Sequence, residues 1–159
     1  MRRFPTALAV AASLALLVGC APTVSTAPAA DFANDPACAD AIVRMPDAIV
    51  DYPKRQTDAQ ATVAWGQPTV AVLYCGVPVP LVSDLDCIEY NGIFWLRQVV
   101  DAGYAFTTYG RDPAIRVVVD DEIVGGPGVA LDRISYAVGF LPENGRVCLS
   151  TDDTVTPSS

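Results

Sequence analysis

Phe106-Thr107-Thr108-Tyr109-Gly110-Arg111-Asp112-Pro113-Ala114 is the stretch on which the reading of the whole chain turns. Thr107 and Thr108 are strand formers, while Gly110 and Pro113 are breakers, so it predicts strand, turn, strand. Upstream, Ile93–Val100 and Tyr104–Tyr109 are β-rich runs that would pair around Asp101-Ala102-Gly103. Downstream, Ala114–Val119 alternates, with Ile115, Val117 and Val119 on one face and Arg116 on the other. Asn91-Gly92, just before Ile93, is a two-residue hairpin signal. These runs together predict an antiparallel meander with one face for a core.

Further out, Thr69–Cys75 is β-branched and almost continuously apolar, as a buried central strand should be. Ala61–Trp65 leads into it through Gly66-Gln67-Pro68, and Cys87–Tyr90 predicts a short strand. Asp35-Pro36 has the form of a helix start, with Asp at the N-cap and Pro at the first helical position. Cys38, Ala41, Ile42 and Met45 follow at helical spacing until Pro46. Leu131, Ile134, Ala137, Val138 and Leu141 make the stripe of a second amphipathic helix, stopped by Pro142. Val147–Leu149 could add an edge strand. The expected fold class is α+β: an antiparallel sheet of about four to five strands with two helices packed on one face. It forms a single domain over residues 35–150, and residues 151–159 read as a disordered tail.

The beginning of the chain gives an address. Arg2 and Arg3 precede a mainly apolar run, Phe4–Val18, that is too short for a comfortable membrane span. It ends in Leu17-Val18-Gly19-Cys20, which resembles the bacterial lipobox. By that resemblance residues 1–19 are a signal peptide, and Cys20 becomes a diacylglycerol-modified N-terminus on the membrane. Two or three acyl chains hold a protein on a bilayer stably where one would not. Residues 20–34 are rich in Ala, Pro, Thr and Ser and predict a disordered tether of roughly 20 Å r.m.s. reach.

Without residues 1–19 the chain keeps 8 basic against 18 acidic side chains, a balance of −10. Such a domain repels phosphate backbones, which argues against nucleic-acid binding. There is no histidine, which removes the commonest general base and the commonest transition-metal ligand together. Past Cys20 remain Cys38, Cys75, Cys87 and Cys148, an even count in an exported chain, which reads as two disulfides. A four-thiolate zinc site is the rival, but no C-x-x-C spacing supports it. Three pairings are possible, and Cys75–Cys87 with Cys38–Cys148 is preferred: a short loop closed, and the two ends of the domain joined.

Candidate chemistry is sparse. Arg111 could hold a carboxylate or phosphate bidentately, with Tyr109 and Asp112 beside it as possible binding residues. Equally, Arg111 could pair with a nearby acid, and Asp112 with backbone N–H groups of its own turn. Lys54 and Arg55 form a basic pair that is either solvated or a contact for an acidic partner. Asp120, Asp121 and Glu122 could hold a hard cation, yet they lack the alternation of an EF-hand loop and read better as a solvated run. Thr107, Thr108 and Ser83 have no histidine to activate them. Trp65, Trp95, Phe94 and Tyr109 read as core aromatics rather than a pocket lining. No catalytic residue, metal site or cofactor is expected.

Trp65-Gly66-x-Pro68, Leu73-x-Cys75-Gly76-Val77, Trp95 and above all Thr107–Ala114 resemble the actinobacterial exported-protein family catalogued as domain of unknown function 3515. The likeness covers roughly Cys38 to Cys148. It implies a cell-envelope protein, often a lipoprotein, and carries over no catalytic residue. The expected function is therefore a lipid-anchored accessory or binding module on the outer face of the cytoplasmic membrane. Its partner would be an envelope protein or cell-wall material met around Tyr109–Pro113. The alternative is an envelope hydrolase working with paired carboxylates or a bound divalent cation; a plain structural spacer is the third reading.

Overall fold

The computed structural model describes residues 22–81 and 83–149. The expected signal peptide, Cys20 and the tail over 151–159 lie outside those residues. Among the described residues two helices, α1 (Pro36–Val43) and α2 (Pro127–Val138), accompany eight strands. The strands are β1 (Ala48–Ile49), β2 (Tyr52–Arg55), β3 (Thr62–Trp65), β4 (Ala71–Val77), β5 (Asp86–Tyr90), β6 (Ile93–Val100), β7 (Gly103–Tyr109) and β8 (Ala114–Asp120). They form one sheet in the order β1-β2-β3-β4-β8-β7-β6-β5, with every pair of neighbours antiparallel. The chain meanders to β4, jumps to the far edge at β5 and returns strand by strand until β8 lies against β4.

The local signals work as read. Asp35 caps α1, its carboxylate accepting from the Ala37 N–H at 2.8 Å, with Pro36 in the first turn. Asn91 and Gly92 both have positive φ, 49° and 76°, as a tight turn between β5 and β6 requires. Register puts Ile93, Trp95, Phe106, Thr108, Ile115, Val117, Val119, Leu73 and Cys75 on one face of the sheet. The same face meets Cys38 and Ala41 of α1 and Leu131, Ile134, Ala137 and Val138 of α2 in one continuous core. Each fully buried Leu, Ile or Val of α2 contributes about 1.5–3 kcal/mol of burial. That exceeds anything the intrinsic propensity of a 12-residue helix could supply.

The count of four to five strands is corrected to eight. The extra ones are β1 and β2, in a stretch for which the sequence predicts no strand, together with β3. Nothing local in Tyr52-Pro53-Lys54-Arg55 marks a strand. Its pairing is decided by partners remote in sequence: Lys54 lies opposite Trp65 and Arg55 opposite Ala64. Val147–Leu149, expected as an edge strand, is irregular.

The preferred disulfide pairing is also corrected. Cys38 of α1 bonds to Cys75 of β4, and Cys87 of β5 bonds to Cys148 beyond α2, with Cα atoms 5.6 and 5.7 Å apart. Cys75–Cys87 is geometrically excluded. Strand order places four inter-strand steps between β4 and β5, about 19 Å at ~4.8 Å per step, far beyond the reach of a disulfide. Cys75 also faces the core, whereas Cys87, opposite Leu96, projects from the other face.

Residues 22–34, expected to belong to a free tether, lie against the domain. Arg55 Nη2 donates to the Pro22 carbonyl at 2.8 Å, and the Val24 N–H donates to the Gln56 carbonyl at 2.8 Å. Asp58 accepts from the Thr26 N–H at 2.9 Å, and the Phe32 N–H reaches the Gly76 carbonyl at 2.9 Å. Composition alone misses this strap because its anchors are backbone groups, which any residue carries.

Candidate functional site

The stretch from Tyr109 to Ala114 joins β7 to β8, and the structure shows what each residue does there. Gly110 has φ +94°, and a Cβ at that position would collide with the Arg146 carbonyl, so only glycine fits. Arg111 is 8% exposed. Its Nη1 donates to the Leu141 carbonyl at 2.8 Å and more weakly to that of Gly139 at 3.4 Å. Its Nη2 meets a Glu143 carboxylate oxygen at 3.1 Å. These carbonyls lie just past the C-terminal end of α2, where positive charge is favourable. Arg111 is therefore a staple that fastens the end of α2 to the sheet, rather than a hook waiting for an anion.

Three further bonds tie the same two segments together. The Asp112 N–H donates to the Pro142 carbonyl at 3.0 Å, and the Asn144 N–H to that of Gly110 at 3.0 Å. Asn144 Nδ2 donates to the Arg111 carbonyl at 3.2 Å. Asp112 itself is exposed, and among the described residues its carboxylate holds no hydrogen bond. Thr108 is fully buried, its hydroxyl accepting from the Ile115 N–H at 2.9 Å, which commits it to structure. Trp65 is core, donating to the Pro46 carbonyl at 3.0 Å. Trp95 is core as well, its ring N–H without a partner among the described residues.

The arginine nevertheless stands between two clefts, and Gly92 borders both. On one side Phe94, Tyr109, Glu143 and Arg146 enclose about 90 Å3. On the other, Asn91, Asp132, Tyr136 and Phe140 border a wider hollow of about 510 Å3. Asn91 Nδ2 donates to the Asp132 carboxylate at 2.8 Å across its rim. Tyr136 and Phe140 are 73% and 47% exposed, edge to face with centroids 5.2 Å apart, and the Arg44 guanidinium sits 4.3 Å from the Phe140 ring centre. A third hollow of about 290 Å3, floored by Phe106 and Leu131, lies beside Arg97, Tyr104 and Asp121. Spacing in the sequence could not have found the wider hollow, because it joins a hairpin turn to a helix some forty residues later.

Each of the three hollows is bordered by a single carboxylate: Glu143, Asp132 or Asp121. None brings together the acid pair that hydrolysis by carboxylates requires. Asp120, Asp121 and Glu122 form a turn in which an Asp120 oxygen accepts from the Glu122 N–H at 2.8 Å. Among the described residues no three His, Cys, Asp or Glu side chains stand close enough together to hold a metal ion. Lys54 and Arg55 are both engaged within the domain. Lys54 Nζ reaches Asp47 at 2.9 Å and the Met45 carbonyl at 3.1 Å, and Arg55 bonds the Gly66 and Pro22 carbonyls. Among the described residues Asp58 alone has a distinctly displaced pKa, lowered chiefly by the Thr26 N–H and then by the Ser25 side chain.

No curated protein and no solved structure matches the chain. A family model described as protein of unknown function (DUF3515) matches residues 4–145, which takes in the apolar run near the start, both helices and all eight strands. The chain belongs to that family.

Proposed function

We propose that this protein is a lipid-anchored accessory module of the bacterial cell envelope, binding a partner protein or wall material through the surface around Tyr109 and the two hollows beside Arg111. The observation that carries the reading is the coupling of a lipobox-like Leu17-Val18-Gly19-Cys20 to four further cysteines that all lie in disulfides. Oxidised pairs persist outside the cytoplasm and are rare within it. A cysteine left over at the end of an apolar leader is the one that a lipid would take. The shift of binding role from the Arg111 side chain to its surroundings follows from its burial and its engagement with the Leu141 and Gly139 carbonyls and the Glu143 carboxylate.

The address is tested by metabolic labelling with palmitate and by thiol titration of the mature protein. Label that follows the membrane fraction and disappears with Cys20→Ala supports it; free thiols in the folded domain refute it. For the binding surface, a photo-crosslinking side chain at Tyr109 or Tyr136 should capture a neighbour in native membranes. The same group at Val99, exposed at the other end of β6, should not. Equal capture from all three positions removes the assignment of the surface.

A further inference from the structure

Cys20 is only two residues from Pro22, at most about 7 Å of extended chain. Pro22 is already on the domain: its carbonyl is held by the Arg55 guanidinium, which also holds the carbonyl of Gly66 in the β3–β4 turn. From there Val24 bridges Thr57 in parallel, Thr26 is fixed by Asp58, and Phe32 is fixed by Gly76. If the strap were free, the fourteen steps from Cys20 to Asn34 could extend to roughly 50 Å.

We infer that the strap fixes both the height and the orientation of the domain on the membrane, holding the β3–β4 turn, Gly66–Thr69, at the level of the lipid headgroups. The inference rests on lipidation of Cys20 and goes beyond it by naming the face that meets the bilayer. The opposite ends of the strands, with Tyr109 and the hollows beside Arg111, then point away from the bilayer. β4 alone spans seven residues, about 23 Å at ~3.3 Å per residue, which is the separation between the two ends. Charge does not produce this orientation. Asp120 is bonded to Val70 at the membrane-facing end, and Asp121 and Glu122 follow it, so that end repels anionic lipid. The constraint is the short covalent link from Cys20 to a strap seated by short-range hydrogen bonds, which salt screens little.

The test uses the full lipidated protein in vesicles of phosphatidylethanolamine and phosphatidylglycerol doped with a nickel-chelating lipid. A genetically encoded nitroxide side chain replaces Thr69 or, separately, Val147, both exposed and at opposite ends of the sheet. The expected result is a relaxation enhancement several-fold larger at Thr69 than at Val147, unchanged in high salt. Inserting about ten Gly/Ser residues between Ala21 and Pro22, a flexible addition of ~17 Å that leaves the strap itself in place, should abolish the contrast. Protein that floats with the vesicles but shows equal enhancement at the two positions overturns the orientation and leaves the anchor standing. Protein that fails to float overturns both.

Discussion

Replacing Arg111 with Ala separates a staple from a ligand hook. The Leu141 carbonyl loses a charge-assisted hydrogen bond in a nearly fully buried setting, a loss of about 1.5–3 kcal/mol. The longer bond to Gly139 and the pair with Glu143, whose side chain is 74% exposed, add up to about 1 kcal/mol together. The expected cost is thus about 1.5–4 kcal/mol, a large part of the 5–15 kcal/mol that holds a typical domain together. Urea unfolding with the disulfides intact, followed by tryptophan fluorescence from Trp65 and Trp95, measures it as a lower midpoint at unchanged slope. Glu143→Gln should cost under about 1 kcal/mol, and Arg111→Lys should fall between, because an ammonium can reach one carbonyl but not two groups at fixed angles. Arg111→Ala unfolding within about 0.5 kcal/mol of the natural chain while losing its envelope partner would falsify the staple and restore Arg111 as a binding residue.

Other consequences are open to direct measurement. Cys38→Ala with Cys75→Ala opens a loop with a sequence separation of 37 residues, worth about 4 kcal/mol in the chain-entropy model. Non-reducing peptide mapping of the natural chain should recover Cys38 linked to Cys75, and a Cys75–Cys87 peptide would contradict the fold. Thr108→Val removes the acceptor for the buried Ile115 N–H and should cost about 1–3 kcal/mol in the same denaturation assay. Asp58 gives the strap a pH dependence. Its folded pKa lies below its unfolded one, so its contribution is complete above the unfolded value and is lost as pH falls through the folded value. Amide exchange at Thr26 should accelerate, relative to Val117 in the core, only below about pH 4; protection of Thr26 that does not vary with pH would remove Asp58 from the strap.

The helices, the hairpins on either side of Ile93–Val100, the turn at Gly110 and the oxidised state of the cysteines were all legible in the chain. Each is written in a short window: a cap, an Asn-Gly pair, a stripe at helical spacing, an even cysteine count. The same holds for the core face, since alternation along Ala114–Val119 names Ile115, Val117 and Val119 without any partner in view. Less could be read of the candidate site. Arg111 stood out as a residue type on a turn, but its role depends on carbonyls 28 to 30 positions away.

What only the tertiary structure decided is which segments meet. Strand order, the Cys87–Cys148 bond and the hollows beside Arg111 depend on the jump from β4 to the far edge of the sheet. The Cys38–Cys75 bond and the seat of the strap depend on contacts among α1, β2, β3 and β4. No local preference encodes either. Backbone groups pair by geometry and not by identity, so Tyr52–Arg55 becomes a strand and Pro22–Asn34 a strap although neither carries a signal of its own. Side-chain pattern determined the faces and the turns; tertiary packing, with β8 closing against β4 over one shared core, determined what required two distant stretches at once.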